Sequence, residues 1–152
     1  MDDRAEREVG NATEFLDACR RAVGRLAALN ARMDDMADNG YLRAISYDSV
    51  GSATSQTSPV ERAAMASDEL WQQTRAAAKR YSDLLYMAQD AFSRMEQAGA
   101  DSPGDVELLD YYYLQAKSAR RIARIMSYSE DYVRQKKALA IVHVAPYIPP
   151  SW

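Results

Sequence analysis

Two long stretches of heptad-like apolar recurrence constrain this chain more than any other feature of it. In the first, Phe15, Cys19, Ala22, Leu26, Leu29, Met33 and Met36 follow one another at alternating steps of four and three. That spacing belongs to a helix packed at a shallow angle on another helix. It predicts a helix from about 13 to 38, capped by Thr13 or Asn11 and leaving through "DNG" at 38–40. The second stretch runs through Val60, Ala64, Ser67, Trp71, Thr74, Ala78, Tyr81, Leu85, Ala88, Phe92 and Met95. Ser58, Pro59 and Glu61 form a capping box with proline at the first helical position, and Gly99 with "DSPG" ends the helix.

Residues 39–58, "NGYLRAISYDSVGSATSQTS", form a linker rich in Ser, Gly and Thr that lets the two helices fold back antiparallel. Small and polar seam positions such as Ala64, Ser67, Thr74 and Ala78 make a weak isolated coiled coil. The pair therefore either packs closely at alanine-rich contacts or is completed by a second copy in a homodimer. Charge divides the chain a second way. Residues 1–116 carry 12 Lys and Arg against 20 Asp and Glu, whereas 117–152 carry 7 against 2. A net charge of −8 is followed by +5, and a basic segment is what a nucleic-acid contact requires.

After Pro103-Gly104 the pattern changes to short helices. "DVELLDYYYLQ" (105–115) presents Val106, Leu109, Tyr113 and Tyr112 on one face. "AK" breaks it, Ser118 caps a helix to Met126, Ser127-Tyr128 turns, and Ser129 caps another helix with Glu130 and Asp131 in its first turn. A helix-turn-helix needs a small residue where its helices cross and apolar residues on both sides of the turn. Ala123, Ile122, Met126, Tyr128 and Val133 meet those needs in order. The expected architecture is all-α: a long antiparallel helical hairpin (1–100), a C-terminal helix-turn-helix module (101–145) and a tail (146–152) that either docks back or serves a partner. With Val133 inward, Ser129, Glu130, Asp131, Arg134 and Gln135 lie where base edges are read, Arg134 suiting guanine and Gln135 adenine. Lys117, Arg120, Arg121, Arg124 and Lys137 are the expected phosphate contacts.

"LLDYYYLQAKSARRIARIMSYSEDYV" (108–133) resembles the C-terminal half of the ArpU/RinA-type phage transcriptional regulators, and with it the promoter-reading fourth region of bacterial sigma factors. The order of helix, "SYDSVGSATSQTSPVERA" loop and second long helix upstream is similar too. The resemblance implies a phage or prophage protein that binds double-stranded DNA to control late genes, with host RNA polymerase as a partner. Against the family pattern, Ala119 stands for Trp, Arg120-Arg121 for a pair of acids, Ser127 for the turn glycine, and Lys136 for an apolar residue.

Other chemistries find little in the sequence. No Gly-rich phosphate loop or nucleophile motif is present, and Cys19 and His143 are the only cysteine and histidine, so neither an enzyme nor a metal or other cofactor is expected. His143 reads as a helix-end or core histidine, and Asp34-Asp35 as solvent-facing neighbours. Tyr113 is expected in the core and Tyr111 partly exposed. No segment is apolar for anything near the roughly 20 residues that span a bilayer, and "MDDRAEREVG" is no secretory signal. These features point to the cytoplasm, and the resemblance implies that of a bacterial host. The competing reading is a helical adaptor that binds a protein through its long helices. A third is a small terminase-like packaging component.

Overall fold

The computed structural model describes residues 2–40 and 59–152, and among these there are helices and no strands, so the chain is all-α. Helix α1 spans Asp3–Asp35 and passes into a π-helical turn, Met36–Gly40. Helix α2 spans Pro59–Gln97. Short α3 (Asp105–Leu109) runs into a π-helical segment, Asp110–Leu114; then come α4 (Ala119–Met126), α5 (Glu130–Val144) and a 3₁₀ turn, Ala145–Tyr147. Ser58 and most of the linker lie outside the described residues. Pro59 does open α2, where its missing N–H costs nothing.

Helix α1 starts about ten residues earlier than its seam suggests. Asp3 and Glu6 occupy its first turn, where the helix dipole favours carboxylates, and Ala12 and Leu16 extend the buried face. The residues read as caps have other partners. Thr13 Oγ1 donates back to Val9 O at 2.8 Å, and Asn11 Nδ2 donates to Pro149 O at 3.0 Å. In α2 the lower half of the seam is as expected, with Ala88, Phe92 and Met95 buried. In the upper half Thr74 is buried as expected, but Leu70 is buried in place of Trp71, which is 53 % exposed, and Ala64 and Ser67 are exposed. At about 100° per residue, Leu70 lies within roughly 20° of Met95 on a straight helix and Trp71 roughly 120° away. A strict 3.5-residue count drifts off the buried face over this length.

By compactness the chain forms two units: the residues up to Gly24 with Arg80–Trp152, and Arg25–Lys79. This division crosses both long helices and does not fall near residue 100. The larger unit has a core built from Phe15, Leu16 and Cys19 of α1, Leu84, Ala91, Phe92 and Met95 of α2, then Leu109, Tyr113 and Leu114, and Ile141, Val144 and Ile148. A module of some fifty residues is marginal on its own, and here the ends of the long helices share its core. The tail belongs to the same unit. Trp152 packs edge-on against Phe15, centroids 5.5 Å apart, and its Nε1 donates to Asn11 Oδ1 at 3.0 Å. Of the two expected places for the tail, it takes the docked one.

Candidate nucleic-acid interface

Helices α4 and α5 owe their boundaries to three serines. Ser118 is extended and its Oγ accepts from Arg121 N at 3.2 Å. Ser127 adopts the left-handed conformation (φ 58°, ψ 43°), which brings Tyr128 N to Ala123 O at 2.9 Å and closes α4. Ser129, again extended, accepts from Tyr132 N at 3.1 Å and opens α5. Between the helices Ile122, Ala123 and Val133 are buried with Leu108 of α3, and Met126, Tyr128, Tyr111 and Tyr112 pack around them. Ala119 lies against this cluster where the family pattern has Trp. Ala116 (φ 53°) breaks the preceding segment, and Lys117 N reaches back to Tyr111 O at 2.9 Å.

The segment is held from outside by α1. The Arg20 guanidinium donates to Tyr112 O and, at 3.1 Å, to Lys117 O, and lies 4.0 Å from the Tyr112 ring centroid. One side chain thus takes up two carbonyls, one in the π-helical turn and one in the link to α4.

The expected phosphate contacts separate into two groups. Arg120, Arg121 and Arg124 are exposed and, with Ser118 and Ile125, line one shallow hollow on α4. None of their guanidinium groups makes an ion pair among the described residues. The other two are engaged. Lys117 donates to Gln115 Oε1 and lies 4.6 Å from the Tyr111 centroid, and Lys137 lies 4.0 Å from the Tyr112 centroid.

The expected base-reading residues are all exposed at the start of α5, but not all are free. Ser129 is occupied by its cap. Arg134 is paired with Asp131 at 3.2 Å and Glu130 at 3.6 Å. Exposed pairs of this kind contribute about 0.2–1 kcal/mol, less than the ~1–3 kcal/mol of a bidentate guanine contact, so the pairing alone would not withhold Arg134 from DNA. Gln135 is exposed and faces solvent. Tyr132 and, further along the helix, Leu139 and Val142 are also exposed, Leu139 to 59 %.

A buried charge cluster that sequence reasoning did not find underlies the interface. Asp105 is 1 % exposed; its Oδ1 accepts from Lys136 Nζ at 3.2 Å, and its Oδ2 accepts from Ser102 N at 2.8 Å and lies 2.7 Å from His143 Nδ1. Burial pushes the Asp105 carboxyl up, but the Ser102 N–H, His143 and the Lys136 ammonium outweigh it and hold the group below its ordinary value. Lys136, the charged residue at an apolar position of the family pattern, is therefore only 8 % exposed and paired. Gly104 (φ 85°) makes room, since a Cβ there would stand 3.2 Å from Lys136 Cε and 3.3 Å from Met126 Cε. The signals available were the lone His143 and the misplaced Lys136; nothing local linked either to Asp105.

Among the described residues no group of three or more His, Cys, Asp or Glu could hold a metal ion, and no helix is long and apolar enough to cross a membrane. Compared with protein-family models, curated proteins and solved structures, the chain matches none.

Proposed function

We propose that the chain is a DNA-binding transcriptional regulator of the phage ArpU/RinA-like kind, with α4, its turn and α5 acting as a helix-turn-helix on double-stranded DNA. The observation that carries this reading is the set of three unpaired arginines, Arg120, Arg121 and Arg124, gathered in one hollow on a helix whose ends and crossing are fixed by Ser118, Ser127 and Ala123. Phosphate neutralisation by such a set is the usual source of affinity for a duplex. In this reading the long helices serve dimerisation or a contact with host RNA polymerase. The test is a genomic-fragment selection with the purified protein near physiological salt. Retention of duplex fragments that the Arg120→Ala/Arg121→Ala variant loses supports the proposal, and failure of the unaltered protein to retain any duplex rejects it.

One observation favours a second reading, the helical adaptor. Trp71 and Met65 stand exposed on α2, and large apolar side chains at a surface suit a protein partner. An interaction that Trp71→Ala abolishes while DNA binding is absent would select it. The terminase-like reading has no observation of its own.

A further inference from the structure

Building on the DNA-binding reading, we infer that this module holds double-stranded DNA by its sugar-phosphate backbone alone, through the α4 arginines, and that α5 stays out of the groove. Arg120 and Arg124 are one helical turn apart and Arg121 stands beside them, so three long, unpaired guanidinium groups reach outward from one hollow. Arginine's planar fork suits phosphate oxygens, and each such contact releases counterions without reading sequence.

Helix α5 is built for something else. In a groove-reading helix the N-terminal residues approach the base edges. Here those residues are Glu130 and Asp131, both within ion-pair distance of Arg134. Inserting this turn would carry two carboxylates and one guanidinium between two rows of phosphates. The repulsion comes from the carboxylates that remain, whatever happens to the pairing itself. Besides Arg134, the outward residues beyond that turn are Gln135, Ala138, Leu139 and Val142, a single polar side chain among apolar ones that offer little to a polar groove floor. Lys137 and Lys117, which could have added phosphate contacts, rest over Tyr112 and Tyr111. Within the module, the cations without a partner among the described residues are those of α4.

Three phosphates imply a log–log salt slope of about −2.7, equivalent to a roughly 40-fold loss of affinity between 50 and 200 mM salt. The experiment is fluorescence anisotropy of the full chain on two unrelated duplexes of about 20 base pairs, two helical turns each. A random-sequence selection accompanies it. Expected are equal affinities for the two duplexes, the slope above, and a slope shallower by about 0.9 for Arg124→Ala. The Arg134→Ala variant keeps an affinity within about threefold of the unaltered protein, because removing that charge deletes no phosphate contact. Circular dichroism checks that both variants fold. A selected motif whose preference disappears with Arg134→Ala overturns the inference while leaving the DNA-binding reading in place. Equal competition by polyglutamate at matched charge overturns it too, because the arginines then answer to charge and not to phosphate. Absence of binding at 50 mM salt, within the range where such contacts are strongest, removes both the inference and the reading beneath it.

Discussion

Asp105 keeps its charge in an almost dry environment because three donors converge on it. Removing one charge of a buried pair costs more than the pair contributes, since the partner is left without compensation. Asp105→Asn is therefore expected to lower stability by about 3–5 kcal/mol in urea unfolding, and adding Lys136→Met to recover most of the loss. A single-variant cost under about 1 kcal/mol, the range of an exposed pair, would mean that the cluster is not holding the module together. The pH dependence has a defined sign. The folded carboxyl lies below its ordinary value, so the native state resists protonation more than the unfolded chain does. This contribution is complete above the unfolded value of about 3.9 and is lost as pH falls through the lower folded value. Acid titration of stability should be flatter for Asp105→Asn in that window. Cys19 makes a second residue-scale prediction. Burial pushes its thiol up to about 12, and the side chain is fully enclosed in the core. Alkylation at neutral pH should proceed at the rate of unfolding; labelling that is fast under native conditions would contradict the packing of α1.

At the level of elements, what could be read from sequence was what is local. Ser118, Ser129, Pro59 and Gly99 mark helix ends through atoms no more than a few residues away, and each stands where its chemistry places it. The start of α1 was misread for the complementary reason. Asn11 is a good cap in isolation, but its amide bridges to Pro149 and Trp152, a relation that no window on the sequence contains. The π-helical segment Asp110–Leu114 likewise has no sequence signature of its own; it goes with Arg20, ninety-two residues from Tyr112. The turn offers a direct test. Ser127 holds a left-handed conformation that costs a residue with a Cβ about 1–2 kcal/mol, so Ser127→Gly is expected to raise stability by about 1 kcal/mol. Ser129→Ala should lower it by about 1 kcal/mol through loss of the α5 cap. Thermal midpoints of the two variants moving in the same direction would contradict this account of the turn.

Across the whole molecule, the seams disclosed which faces of the long helices are apolar, but not where one compact body gives way to the next. The periodicity is continuous through Gly24 and Lys79, so it carries no mark of the boundary that crosses both helices there. The candidate interface was legible as a basic segment; the partners of Arg134 and Lys117 are local, whereas Lys137 rests on the Tyr112 ring, which only the fold brings near. The tail contributes measurably to the larger unit. Trp152→Ala is expected to cost about 2 kcal/mol from lost apolar contact and one hydrogen bond, and an unchanged unfolding midpoint would show the tail to be dispensable.

That closure has a consequence for how the chain comes into being. Asn11 and Trp152 are separated by 141 residues, and Phe15 meets its last partner in the same place. At roughly 5–20 residues per second, a ribosome delivers Trp152 about 7–30 s after Asn11. During that interval α1 can lay its apolar face on α2 but lacks the tail that covers Phe15. The larger unit therefore closes only once Trp152 has been made, and until then the patch of α1 around Asn11 and Phe15 waits for its cover.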